Sequence, residues 1–307
     1  MAWLILFLPG GDVLGGAEKA FSVSWSAPDR VVVPMKLRND VPTVPCLVNG
    51  REVWMILDTG SQRCLLEGDA ARDARVRMLE GARAKVEVTG VHGNEAAMVG
   101  LPESMAVGAW RWSAFPCVVR TQRKALENGP LFATPVAFNI LGLDALQAMC
   151  SYFTIDYARR QVVFGFRQRF QPADPQASRQ SCQLRDGAIF VETSHEGHAW
   201  WSLLDTGASS EMEINRAITG QFVRKKPTRW IEASHFGLGD PAGAGRRRFA
   251  CLTLARVTCL GRNWRDVDAL LREDEPKIGS GMCRTVRLTV DFTGSQIWLE
   301  APVRRAR

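Results

Sequence analysis

Two copies of the tripeptide Asp-Thr-Gly are the residues of this chain whose types and spacing could do chemistry. The first copy places Asp58 directly after the apolar run 54–57, and the second places Asp205 after the mainly apolar run 201–204. An apolar run that ends in a polar residue and a glycine is typical of a buried strand entering a tight turn. Two such turns could bring two carboxylates together. Carboxyl groups about 3 Å apart share one proton, and such a pair can activate a water molecule by acid–base catalysis.

The elements that would position these two turns occur twice in the same order, which indicates an internal duplication. The segments 154–164 and 289–299 both have the pattern of a β-hairpin, and their threonine, aspartate and glutamine residues coincide. Before each of them an apolar residue and a glycine recur, as Leu141-Gly142 and as Ile278-Gly279. The chain is therefore predicted to consist of two related halves, each of which carries one aspartate.

This order of elements resembles the retropepsin-like and pepsin-like aspartic proteases, over about residues 31 to 300. The resemblance implies an all-β fold of two homologous, retropepsin-like closed β-barrel lobes with short helices and a catalytic cleft between the lobes. It also implies that Asp58 and Asp205 are the catalytic pair. Thr59 and Thr206 would exchange hydrogen bonds across the interface and hold the two carboxylates coplanar.

The residues that follow the aspartates are expected to support the pair. Gly60 and Gly207 allow each backbone to turn sharply and to approach the partner loop. The hydroxyl of Ser61 could donate a hydrogen bond to Asp58, whereas the second motif has an alanine at the matching position. Because such a bond lowers the pKa of a carboxyl group, we expect Asp58 to carry the charge and the second aspartate to carry the shared proton. The alternative is that one of the two following serines restores the symmetry.

Two glycine-rich segments could close over the cleft. The segment 86–99 alternates around a glycine-rich tip and is predicted to be the flap of the first half. The segment 236–245 could be its counterpart, and a mobile surface loop is an equally good interpretation of that segment. The flap and cleft candidates are Val91, His92, Gly93, Gly239 and Asp240.

The composition fits a folded protein of two domains, with 307 residues, of which 46% are hydrophobic and 23% charged. The best helical candidates are 65–80 and 143–149. A polar segment with two prolines and no periodicity separates the halves. The predicted units are an N-terminal segment 1–30 with a possible weak signal, lobe 1 at 31–166, a linker at 167–181, lobe 2 at 182–302 and a basic tail at 303–307.

The net charge of +7 suggests nucleic acid as a possible partner. The arginines are scattered, however, and no nucleic-acid-binding motif accompanies them, so no nucleic-acid partner is expected. The eight cysteines and four histidines lack the spacing of a metal site, so neither a metal nor a cofactor is expected. The cysteine count permits disulfides, and burial as small apolar residues is the other interpretation. A peptide or protein substrate is the expected partner, and the chain is expected to act as a monomer because it carries both halves.

The N-terminal apolar run 2–9 is too short to span a bilayer. It has the character of a short signal peptide without a preceding basic residue. We expect a periplasmic or secreted protein, with the cytoplasm as the alternative.

Two hypotheses about function follow from these patterns. The first is an aspartic endopeptidase that hydrolyses peptide bonds with a water activated by Asp58 and Asp205. The second is a catalytically weak or inactive peptide-binding protein that retains the fold. Lys277 supports the second hypothesis, because it stands where the family has an apolar residue and could disturb the loop around Asp205 if it turned inwards.

Overall fold

A computed structural model of the chain describes residues 22–25, 29–38, 40–81, 84–90, 93–120, 138–222, 229–234 and 246–302. The fold is mostly strands with few short helices and contains a closed six-stranded barrel, which confirms the predicted all-β class. The helices are α1 (Gly68–Asp73), α2 (Leu143–Met149), α3 (Arg216–Phe222) and α4 (Ser280–Cys283). The strands are β1 (Ser22–Trp25), β2 (Arg30–Pro34), β3 (Lys36–Arg38), β4 (Val41–Val48), β5 (Arg51–Leu57), β6 (Leu65–Glu67), β7 (Arg77–Met78), β8 (Lys85–Gly90), β9 (Gly93–Leu101), β10 (Ser104–Val107), β11 (Trp110–Ser113), β12 (Cys117–Arg120), β13 (Ile140–Leu141), β14 (Tyr152–Asp156), β15 (Gln161–Gly165), β16 (Ser178–Arg185), β17 (Ala188–His195), β18 (His198–Asp205), β19 (Met212–Ile214), β20 (Arg229–Ser234), β21 (Arg246–Cys259), β22 (Arg262–Leu271), β23 (Lys277–Gly279), β24 (Arg287–Asp291) and β25 (Gln296–Glu300).

The described strands form two large sheets. The first has the order β1-β11-β10-β4-β5-β13-β6-β12-β9-β7, with β3 added beside β4 and β8 added beside β9. The second has the order β2-β15-β14-β24-β25-β16-β17-β18-β23-β19-β22-β21-β20. The strand β5 that leads to the first motif thus lies in one sheet, and the strand β18 that leads to the second lies in the other.

The two hairpins predicted from the repeat lie side by side in the second sheet. Strands β14 and β15 form one antiparallel hairpin, β24 and β25 form the other, and β14 pairs with β24. The matching threonines, Thr154 and Thr289, lie opposite each other with 2.7 Å between their hydroxyl oxygens, and both are buried. The duplication seen in the sequence therefore corresponds to a local twofold relation in the structure.

Each motif follows a strand that is paired with a short parallel neighbour. Strand β13 pairs with β5 so that Leu141 lies beside Leu57, and β23 pairs with β18 so that Ile278 lies beside Leu204. All four side chains are buried. Strands that are buried on both faces are continuous apolar runs, which explains why each aspartate follows such a run.

The helix predicted at 65–80 is wrong over most of its length. Only Gly68–Asp73 is helical, because residues 65–67 form β6 in parallel with β12, and residues 77–78 form β7. Arg75 has a left-handed φ of 52°, which ends helical geometry just after α1. Burial of Leu65 and Leu66 in the sheet outweighs the local helical pattern. The helix predicted at 143–149 is confirmed as α2.

The boundaries of the predicted domains stay a prediction. Strand β1 lies within the predicted N-terminal segment and pairs with β11. Strand β16 begins at Ser178, inside the predicted linker, and pairs with β25.

The eight cysteines are all free and buried, so they serve as small core residues in this fold. Within the described ranges, no helix is long and apolar enough to cross a membrane.

Candidate active site

The two Asp-Thr-Gly loops hold their carboxylates in the same way. In the first loop, the backbone amides of Gly60 and Ser61 donate hydrogen bonds to Oδ1 of Asp58, at 2.8 and 3.2 Å. In the second loop, the amides two and three residues after Asp205 donate to its Oδ1, each at 3.0 Å. Each carboxylate therefore has one oxygen fixed by its own turn, and its Oδ2 is oriented away from those amides.

The two threonines interlock the loops. The backbone amide of Thr59 donates to the hydroxyl of Thr206 at 3.1 Å, and the amide of Thr206 donates to the hydroxyl of Thr59 at 3.1 Å. Each hydroxyl then donates across the interface to a carbonyl oxygen, from Thr59 to Leu204 at 2.5 Å and from Thr206 to Leu57 at 2.6 Å. Both threonines are buried. The reciprocal bonds hold the ends of β5 and β18 in one fixed arrangement, as predicted for these two residues.

The glycines of the motifs lie against the carboxylates of the opposite loops. A Cβ atom on Gly60 would lie 2.4 Å from Cγ of Asp205, and one on Gly207 would lie 2.5 Å from Cγ of Asp58. Real side chains do not fit at such distances, so glycine is required at both positions. The close approach predicted for these residues is present, and it brings the two carboxyl groups face to face.

The electrostatics of the site raise the pKa of Asp58 from 3.8 to about 7. Burial is the largest cause, and the like charge of Asp205 is the second. The amide of Gly60 and the ammonium group of Lys277 act in the opposite direction, and a hydrogen bond between the two carboxyl groups raises the pKa further. Asp58 therefore retains its proton closer to neutral pH than an exposed carboxyl group does.

Comparison with known proteins agrees with this geometry. A family model described as aspartyl protease matches residues 44–145, a segment that includes the first motif. The fold is similar to that of the aspartic proteinase from Irpex lacteus, at 12% identity, with 89% of this chain and 98% of that chain covered and a TM-score of 0.55. No curated protein matches this chain. The family model supports a relation to the aspartyl proteases over the segment that it matches, and the solved structure supports the fold.

One residue sets this site apart from a symmetric pair of loops. Lys277, on β23, turns inwards, and its Nζ lies 3.2 Å from Oδ2 of Asp205 with 14% of the side chain exposed. Burial lowers the pKa of Lys277, but Asp205, Glu213 and Asp58 more than offset this effect and leave it above its ordinary value. Near neutral pH, Lys277 is therefore a cation in contact with the carboxyl group of Asp205.

The hydrogen bond on which the predicted charge assignment was based is not formed. Asp58 was expected to be charged because of the hydroxyl of Ser61, but that hydroxyl donates to the carbonyl oxygen of Arg63 at 2.9 Å. Asp205 has the cation beside it, and the pKa of Asp58 is raised. The hydroxyl of Ser61 therefore gives no reason for the charge to lie on Asp58, and which of the two carboxyl groups carries it stays a prediction. Ser61 still supports the site, through its backbone amide.

A second buried charge accompanies Lys277, and the sequence analysis did not identify it. Glu213 on β19 lies directly across from Lys277 in the antiparallel pairing of β19 and β23. It is 8% exposed, accepts a hydrogen bond from the hydroxyl of Ser210 at 3.1 Å, and lies 3.7 Å from Nε of Arg272. In the sequence, the position of this acidic residue between the apolar residues Met212 and Ile214 could have indicated a buried charge.

The flap candidates lie mainly outside the described residues. Strands β8 and β9 form the predicted hairpin of the first half, and Gly93 begins β9, while Val91 and His92 at its tip are not described. Gly239 and Asp240 also lie outside the described residues, in a segment whose two ends, β20 and β21, pair in an antiparallel hairpin.

Proposed function

We propose that this chain is an aspartic endopeptidase in which Asp58 and Asp205 activate a water molecule to hydrolyse a peptide bond. The observation that carries the proposal is the reciprocal hydrogen bonding of Thr59 and Thr206, which fixes two carboxyl groups face to face. A pair held in this way needs no reorganisation before it exchanges protons with a bound water. A peptidase function also fits the match to the aspartyl protease family model.

The charges around the two carboxyl groups support a different role for each. Asp205, ionised beside Lys277, takes a proton from water while the water oxygen attacks the scissile carbonyl carbon. Asp58, protonated up to about pH 7, gives its proton to the carbonyl oxygen. The resulting gem-diol then returns a proton to Asp58, Asp205 protonates the amide nitrogen, and the carbon–nitrogen bond breaks. Both carboxyl groups end in their starting states, and the products are a carboxylic acid and an amine.

The same lysine favours a second candidate, a peptide-binding protein with weak or absent catalysis. The ammonium group of Lys277 contacts Oδ2 of Asp205, so this oxygen is less available to take a proton from a water molecule. The cleft would then bind an extended peptide without cutting it. This alternative predicts saturable peptide binding that requires the fold and leaves the peptide intact.

Digestion of a diverse peptide library between pH 3 and 8 separates the two candidates. The endopeptidase predicts new internal cleavage products that are absent with Asp58→Asn and present with Asp73→Asn, a control that makes the same chemical change at an exposed position on α1. Parallel digests with pepstatin show whether an inhibitor of this mechanistic class occupies the cleft. Bound but intact peptides would support the binding protein and overturn the peptidase.

The oligomeric state belongs to the same proposal. Because one chain carries both motifs, we propose that the active form is a monomer. Size-exclusion chromatography with activity measured across the peak tests this point. Activity restricted to a dimer fraction would contradict it.

A further inference from the structure

One cross-strand pair beside the motif differs in kind between the two halves. In the first half, Ile140 lies opposite Leu65, in the pairing of β13 with β6 next to the first motif. In the second half, Lys277 lies opposite Glu213, in the pairing of β23 with β19 next to the second motif. The first pair is apolar and buried, with 9% and 2% of the residues exposed. A buried charge pair thus lies beside the second motif and an apolar pair beside the first.

Charged side chains at these positions cost folding free energy unless each has a partner, because buried charges lose their hydration. Glu213 has Arg272 and Ser210 as further partners, so it does not need Lys277 for charge balance alone. Lys277 reaches past the pair to Oδ2 of Asp205, 3.2 Å away. The ammonium group therefore faces Asp205 from β18, Glu213 from β19, and Asp58 from the loop after β5.

Lys277 contacts Oδ2 of Asp205, the carboxylate oxygen that accepts no hydrogen bond from the backbone amides of its own loop. Oδ1 of Asp205 accepts both amides of its own loop, while Ala208 has no side-chain donor to offer Oδ2. The cation thus supplies the donor that this loop lacks. Among the described residues Lys277 forms its ion pair with Asp205 and acts on Asp58 only as a more distant charge.

We propose that Lys277 is a positioning residue that keeps Asp205 ionised and so makes Asp205 the base and Asp58 the acid. The terms base and acid rest on the proposed peptidase function. The location of the charge is a property of the free protein and can be measured without a substrate.

The sign of the effect follows from the charges. A cation within about 4–6 Å lowers the pKa of a carboxyl group by about 1–3 units. Replacing Lys277 with methionine removes the cation, so the lower titration step of the pair should rise by about 1 to 3 pH units. Replacing Glu213 with glutamine removes an anion that partly neutralises Lys277, so the same step should stay in place or fall. Only Lys277→Met should therefore raise the lower titration step.

The test is carbon-13 NMR of chains with labelled aspartate carboxyl groups, in which Asp58→Asn and Asp205→Asn assign the two signals. The wild-type chain should show Asp205 titrating below Asp58. In Lys277→Met the lower step should rise, and in Glu213→Gln it should not. The acidic limb of kcat/KM against pH should move with the lower step in each variant. Lys277→Arg, which keeps the charge, should stay nearest to wild type.

The apolar pair of the first half, Ile140 and Leu65, provides a control for a loss of stability. If Lys277→Met does not fold, the double variant Lys277→Ile with Glu213→Leu removes both charges and recreates an apolar pair at this position. A lower step that rises in either variant supports the proposal. A lower step that does not move, or a wild-type Asp58 that titrates below Asp205, overturns it.

The two proposals fail separately. A chain that cuts no peptide, yet shows the lysine-dependent carboxyl titration, would refute the peptidase and keep this inference. A chain that cuts peptides, but whose acidic limb of kcat/KM against pH does not move in Lys277→Met, would support the peptidase and refute this inference.

Discussion

Replacing Thr206 with valine is the perturbation that tests the loop interlock most strictly. Valine keeps the branched shape and removes the hydroxyl group that accepts from the amide of Thr59 at 3.1 Å and donates to the carbonyl of Leu57 at 2.6 Å. Both groups would then be buried without these partners, and each costs about 1–3 kcal/mol. The free energy of unfolding should fall by about 2–6 kcal/mol.

The control is Thr206→Ser, which keeps the hydroxyl and loses one methyl group, for a cost of about 1 kcal/mol. Urea unfolding followed by tryptophan fluorescence compares the two variants. Since the interlock is reciprocal, Thr59→Val should have a similar effect. The double variant should lose less than the sum of the single losses, because the two residues share their bonds. A Thr206→Val chain as stable as Thr206→Ser would refute this account of the loops.

Three further outcomes are expected. Gly60→Ala places a methyl group 2.4 Å from Cγ of Asp205 and should lower kcat/KM by at least about 100-fold. The control Gly220→Ala has open space around its Cβ and should not change kcat/KM, so equal values for the two variants would contradict the close approach. The raised pKa of Asp58 means that its contribution to stability is complete below about pH 4 and is lost as the pH rises through about 7, so Asp58→Asn should remove that part of the pH dependence of the unfolding free energy; an unchanged dependence would show that the pKa is not raised. Ser61→Ala should leave the acidic limb of the activity profile in place, since its hydroxyl donates to a main-chain carbonyl; a limb that moves would restore the role expected from the sequence.

The site could be predicted from the sequence where local chemistry decides the structure. An apolar run, an aspartate and a glycine specify a buried strand and a tight turn almost by themselves. The repeat then implied that Asp58 and Asp205 meet, and the hairpins that contain Thr154 and Thr289 confirm the duplication.

The features that the sequence analysis missed depend on contacts between distant segments. Whether Lys277 points inwards is decided by the register of β23 between β18 and β19, which no local pattern reveals. The hydroxyl of Ser61 had a choice of acceptors, and the nearby carbonyl of Arg63 competed with the carboxylate. The segment 65–80 has short apolar runs that fit a helix or a strand equally well, and pairing of β6 with β12 decided the outcome.

The most direct test of the central claim is kcat/KM for one cleaved peptide, measured on the wild-type chain, Asp58→Asn and Asp205→Asn at the same pH. Each single substitution leaves the carboxyl pair without one member and should lower kcat/KM by about 10³-fold or more, with the far-ultraviolet circular dichroism unchanged. Asp73→Asn should match the wild type. Turnover at the wild-type rate in either Asp58→Asn or Asp205→Asn would contradict catalysis by the pair.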